Sequence, residues 1–191
     1  MKRTRSISSS LMWVLLFGVT AMAGEGAPGS AESGTATAKA GPFGLLDRLV
    51  GEWRGLGVFP DRKGYIHKTY AFELGRKYLV ERTIDMWPPK EPSPDFHIHR
   101  DISFFYLDGG QIKVKSFHGE GFVWNAEVTL GEAGESFVIE TRSVEGGPPG
   151  FRARVSYTFK GPDSLEAVFA LGMPGQPLKV LENLTLKRMS R

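Results

Sequence analysis

Four histidines and no cysteine set the terms of any chemistry this chain can do. Without a thiol there is no thiol nucleophile, disulfide framework or zinc–thiolate site, so proton and metal chemistry fall to imidazole, carboxylate and hydroxyl groups. Two of the histidines, His97 and His99, lie in the run DFHIHRD that ends at Asp101. In an extended segment that spacing puts both on one side, where with His118 or Asp101 they are weak candidates for a zinc or other divalent site. Two histidines in a surface loop are the commoner meaning of such a pair, and no metal is expected from the spacing alone.

A second signal is a polar residue on an otherwise apolar strand face, because a buried charge requires a partner or a ligand. Arg82 shares a face with Tyr78, Val80, Ile84 and Met86; His118 with Ile112 and Val114; Glu182 with Leu178, Val180, Leu184 and Leu186. If those faces point inward, a cation, an imidazole and a carboxylate meet amid Trp124, Phe122, Tyr157 and Phe169. Arg82 would then grip a ligand carboxylate by a two-pronged hydrogen bond, with an apolar ligand body filling the rest. The alternative is that Arg82 and Glu182 pair with each other and fix the register of the strands. Catalytic patterns are thin: there is no G-x-S-x-G elbow, phosphate loop or H-E-x-x-H. The expectation is a binding protein that does no covalent chemistry.

The elements that must carry these residues begin after an N-terminal segment of a different kind. Residues 1–23 have the three parts of a secretory signal: Lys2, Arg3 and Arg5, then an apolar run from Leu11, then Ala21-Met22-Ala23 for cleavage. The run of about 13 residues is short of the roughly 20 that span a bilayer, so an exported protein without stable membrane insertion, periplasmic or secreted, is expected. Its three charges are basic, and 24 − 3 = 21 Lys+Arg against 21 Asp+Glu leaves the remainder neutral. No basic face remains to suggest nucleic acid. Residues 24–42, rich in Gly, Ala, Ser and Thr, suit a flexible linker, and 43–191 one domain.

Within that domain a short amphipathic helix, Phe43 to Val50, precedes alternation of period two. About ten strands are predicted, starting at Glu52, Tyr65, Tyr78, Asp101, Gln111, Phe122, Ser136, Phe151, Leu165 and Leu178. Their separators are Gly-, Pro- and Asp-rich, and connections so short make sequence neighbours spatial neighbours. The fold class is therefore all-β: a roughly ten-stranded antiparallel up-and-down barrel, wide enough for an interior cavity. The proline-rich stretch from Pro88 to Arg100 is the candidate flap at one mouth.

Gly51-Glu52-Trp53 resembles the G-x-W signature of lipocalin-like (calycin) barrels, whose first-strand Trp closes one end beneath a short helix. The wider pattern, Leu46, Leu49, Trp53-Arg54-Gly55, Gly57 and an Arg near the chain end, Arg188, is most similar to nitrobindin or THAP4-like haem-binding domains and related exported barrels. The resemblance implies a barrel floor of Trp53 against Arg188, and a small apolar or amphipathic ligand in the lumen. It also implies haem held by a histidine of the last strand. From Leu178 to Arg191 there is none, so a haem or metal site built from the four histidines would be new.

Overall fold

The computed structural model describes residues 41–89 and 95–190; the expected signal segment and most of the linker lie outside them. Ten strands follow one another: β1 (Gly51–Val58), β2 (Lys63–Glu73), β3 (Tyr78–Trp87), β4 (His97–Asp108), β5 (Gln111–His118), β6 (Val123–Leu130), β7 (Ser136–Glu145), β8 (Arg152–Phe159), β9 (Ser164–Gly172) and β10 (Lys179–Arg188). Each pairs antiparallel with its neighbours in sequence, and β1 pairs with β10 to close the barrel. Short turns enforce this order. Between β4 and β5, Gly109 and Gly110 both take positive φ, the two-residue hairpin geometry that matches strand twist. Among the described residues no helix is long and apolar enough to cross a membrane.

One end is floored by the segment before β1. The expected amphipathic helix is a 3-10 helix of six residues, Gly44–Leu49, bracketed by Gly44 and Gly51 at positive φ. So short a segment cannot support an α-helix by itself, and it is held by packing. Leu46, Leu49 and Trp53 are fully buried together. The Trp53 indole N–H donates to the Leu49 carbonyl at 2.7 Å. Directly across the β1–β10 pair, the Arg188 guanidinium lies 4.2 Å from the Trp53 ring centroid and donates to the Val50 carbonyl at 2.6 Å and to that of Arg48. Arg188 thus ties the floor segment to the last strand.

Two glycines of β1 mark close approaches. A Cβ on Gly55 would sit 1.9 Å from the backbone carbonyl oxygen of Thr185, so strand β10 occupies that space. A Cβ on Gly57 would sit 1.9 Å from Glu182 Oε1 and 2.9 Å from the Trp87 ring. Gly55 makes room for another strand, and Gly57 for two side chains of the lumen.

The fourth strand corrects one sequence expectation. β4 begins at His97, four residues before Asp101, and pairs with β3 from Trp87↔His97 onward. The alternation of His97, His99 and Asp101 already belongs to the strand, and residues 90–94 of the expected flap lie outside the described residues.

Candidate functional site

The barrel encloses a cavity of about 410 Å³, within the range of small-molecule sites. Its chemistry starts in β2 and β3. On β2, Lys68 shares the inward face with Ile66 and Tyr70. On β3 the usual alternation is inverted: Glu81, Thr83 and Asp85 line the lumen, while Val80, Arg82 and Ile84 lie on the other face. Arg82 is therefore outside. Its side chain is 53% exposed and stands 3.8 Å from Glu73. The expected lumen grip by Arg82, and its pairing with Glu182, are corrected: the apolar face chosen for it is the outer one, where Val80 is covered by Tyr78, Phe104 and neighbouring side chains.

The cation inside is Lys68. Its Nζ donates to Glu81 Oε1 at 2.7 Å and to Thr83 Oγ1 at 3.0 Å, and the Thr83 hydroxyl donates to Glu81 at 2.7 Å. Burial opposes the Lys68 charge, but Glu81 beside it overcomes this and raises Lys68 well above its usual value. Tyr157 belongs to the same neighbourhood: its ring stacks on Phe137 at 4.6 Å, and burial pushes its hydroxyl up to about 12.

Two carboxylates of the cavity have no such partner. Asp85 Oδ1 and Glu182 Oε1 are buried without a hydrogen bond. Burial, the largest cause in each case, pushes Asp85 up to about 6 and Glu182 up to about 7, and Asp85 adds to the rise at Glu182. Both are poised to change protonation near neutrality.

One wall is aromatic. The His118 ring stacks on Phe122 at 4.6 Å and lies 4.2 Å from Trp124, which stacks on Phe169 at 6.1 Å. His118, Trp124, Phe169, Tyr157 and Glu182 all line the cavity. At the mouth, β4 and β5 place Asp101 opposite His118, with Nδ1 3.0 Å from Asp101 Oδ1. His99 holds a carboxylate on each ring nitrogen: Glu120 at Nδ1, 2.5 Å, and Asp101 at Nε2, 2.8 Å. The hydrogen bond to Asp101 leads in pushing His99 up to about 9. Burial works against the Asp101 charge, yet His118 and His99 outweigh it and hold the carboxyl far below its usual range. His97 lines the same mouth but is exposed and stands apart from this group. Ser103 and Ser116 bond to each other at 2.7 Å.

Sequence reasoning missed Lys68, Glu81, Asp85 and Glu120. Lys68 was findable, since it sits between Ile66 and Tyr70 as His118 sits beyond Val114. Glu81 and Asp85 were hidden because the middle of their strand carries its apolar residues, Val80 and Ile84, on the outer face.

No family model matches the chain, and no curated protein matches it. Solved structures do. The crystal structure of Rv2717c from M. tuberculosis superposes with a TM-score of 0.58 at 20% identity, over 80% of this chain and 100% of that one. The S-type phycobiliprotein lyase CPES from Guillardia theta superposes with a TM-score of 0.54 at 14% identity, over 77% of this chain and 92% of that one. At such identities the likeness shows the fold alone, a closed ten-stranded antiparallel barrel. It also corrects the expectation of a barrel without covalent chemistry: a protein named as a lyase shares this architecture, so the architecture accommodates an enzyme.

Proposed function

We propose that the barrel, exported as its N-terminal segment suggests, takes up a small, largely apolar, flat molecule that offers hydrogen-bond donors or a protonated nitrogen to Asp85 and Glu182. The observation that carries this is the pair of buried carboxylate oxygens left without donors in an aromatic-lined cavity. A native interior leaves few such groups unpaired, because each costs about 1–3 kcal/mol or more when it is charged. A ligand donor would satisfy them. The wall of Phe122, Trp124 and Phe169 suits a planar body by stacking and area burial. Among the described lining residues the carboxyls Glu81, Asp85, Asp101, Glu120 and Glu182 outnumber the cations Lys68, Arg62 and His99, which favours a donor ligand over a carboxylate. Asp85 and Glu182, raised toward neutrality, are also suited to passing a proton to or from what binds, and the likeness to a barrel named as a lyase is in keeping with that chemistry.

A haem site of nitrobindin type has one observation in its favour, the buried Nε2 of His118 without a hydrogen-bond partner. Native mass spectrometry after addition of 2-naphthylmethylamine, palmitate or hemin separates the readings. A one-to-one adduct with the amine and none with palmitate supports the donor-ligand site. A palmitate adduct with no amine adduct overturns it. A hemin adduct with a Soret band that disappears in His118→Ala transfers the reading to haem.

A further inference from the structure

The mouth of the barrel carries a second constellation that the ligand reading does not require. Strands β4 and β5 pair with Asp101 opposite His118, and the ladder continues beyond β5 through the bond from the Gly119 N–H to the Arg100 carbonyl at 2.9 Å. His99 lies two residues before Asp101 on the inward side of β4, and Glu120 two residues after His118. The same register that joins the inner pair brings Glu120 to His99, at 2.5 Å. One donor atom from each of His99, Asp101, His118 and Glu120 lies within 4.8 Å of the others. Four groups from two strands thus converge on one point.

We propose that His99, Asp101, His118 and Glu120 form a binding site for one divalent transition-metal ion of the zinc class. Two imidazoles with two carboxylates are a donor set for zinc, cobalt or manganese, whereas magnesium and calcium call for oxygen ligands only. Donors about 2.0–2.1 Å from a tetrahedral zinc stand roughly 3.3 Å from one another. His118 Nδ1 and Asp101 Oδ1 are 3.0 Å apart, and His99 Nε2 and Asp101 Oδ2 2.8 Å, so these pairs need open by only a few tenths of an ångström, while the exposed Glu120 carboxylate must swing from His99 Nδ1 toward the ion.

Two further features point to an ion rather than a chance cluster. The His118 side chain is 5% exposed and presents Nδ1 to Asp101 from within the cavity wall, so the imidazole is held there away from bulk water. It is also fixed: Phe122 and Trp124 lie against it, which removes rotamer freedom before any ligand arrives. Glu120, by contrast, is exposed and can swing aside, giving the ion a way in from solvent. A metal here would pin the β4–β5 hairpin at the rim of the cavity.

The test uses the full barrel stripped with EDTA and dialysed, with no organic ligand added. Titration with Co²⁺ is expected to give visible d–d bands of a low-symmetry, four- or five-coordinate site, and displacement by Zn²⁺ to give a stoichiometry of one. His99→Gln and Glu120→Gln, at positions less buried than His118, are expected to weaken Zn²⁺ binding by more than the roughly 10–100-fold that loss of an outer partner brings. His67→Gln, on the outside beside Glu52, is expected to leave it unchanged. Circular dichroism of each variant reports that the barrel is folded. Absence of cobalt bands, or Zn²⁺ affinity unaltered in both His99→Gln and Glu120→Gln, overturns the proposal; neither result bears on amine binding deeper in the lumen.

Discussion

Replacing Lys68 with Met removes the cation at the centre of the lumen network while nearly conserving volume. Lys68 is 7% exposed and Glu81 6%, and the two are joined at 2.7 Å. Taking away one partner of a buried ion pair leaves an uncompensated charge and typically costs about 3–5 kcal/mol. Here the Thr83 hydroxyl still donates to Glu81 at 2.7 Å and the cavity gives the carboxylate some access to water, so the lower end, about 3 kcal/mol, is expected. For a domain of this size that is a fall in Tm of roughly 6–12 °C. The double variant Lys68→Met/Glu81→Leu removes both charges and is expected to return to within about 1 kcal/mol of the native protein or to exceed it. Urea unfolding followed by tryptophan fluorescence, with circular dichroism as a second probe, gives all three stabilities. If the single variant loses under 1 kcal/mol, the pair is solvated and the network carries little. If the double variant is no better than the single one, the loss comes from packing of the lysine stem, and the electrostatic reasoning fails.

The same physics gives a pH dependence. Asp85 and Glu182 have folded values raised above their unfolded ones, so the folded state holds more protons between about pH 4 and pH 7 and stability declines as pH rises through that window. The groups facing Glu182, namely Asp85 on one side and Lys68, His99 and Arg62 on the other, set how steep the decline is. A loss on the order of 3 kcal/mol between pH 5 and pH 8 is expected in urea melts, and Glu182→Gln flattens it; a native profile that rises over this range would contradict the assignment. Arg188→Ala removes the cation over Trp53, the contacts to the Arg48, Val50 and Pro162 carbonyls and the exposed pair with Asp163, and is expected to cost about 2–3 kcal/mol in the same assay; a loss under 0.5 kcal/mol would mean that the floor holds without it. Gly57→Ala forces Glu182 and Trp87 to shift, at about 1–3 kcal/mol, while Gly55→Ala meets the Thr185 backbone and should cost more. Arg82→Ala, on the outer face, should leave both lumen binding and stability unchanged within about 0.5 kcal/mol, and a loss of binding would restore that residue to the site.

The fold was legible because short turns and period two leave few alternatives. Asp108-Gly109-Gly110-Gln111 could only be a hairpin, and strand after strand of that kind must close on itself. The site was less legible, since alternation identifies two faces without saying which is inside. In β8 the apolar set Ala153, Tyr157 and Phe159 is the inner one, and hydrophobicity gives the right answer. In β3 it gives the wrong one. There the lumen has taken Glu81, Thr83 and Asp85, while Val80 packs under aromatic rings outside, so Arg82 was drawn to the wrong side and the lumen cation, Lys68, was passed over. His99, Asp101 and His118 were visible as metal-ligand candidates and Glu120 was not, and only the β4–β5 register brings the four together. Helix and floor show the same division: Trp53 and Arg188 follow from a short motif, whereas the 3-10 form of Gly44–Leu49 depends on the two bracketing glycines and the packing beneath.

The most direct test of the lumen site compares two ligands that share an apolar body and differ only in the group presented to Asp85 and Glu182. Trp87 and Trp124 line the cavity, so quenching of tryptophan fluorescence reports occupancy. At pH 7.5, 2-naphthylmethylamine is expected to bind at least 10-fold more tightly than 2-naphthoate, a difference of about 1.4 kcal/mol, and Glu182→Gln to reduce that preference severalfold. Equal affinities, a preference for the carboxylate, or a preference untouched by Glu182→Gln would contradict a lumen built to receive a hydrogen-bond donor.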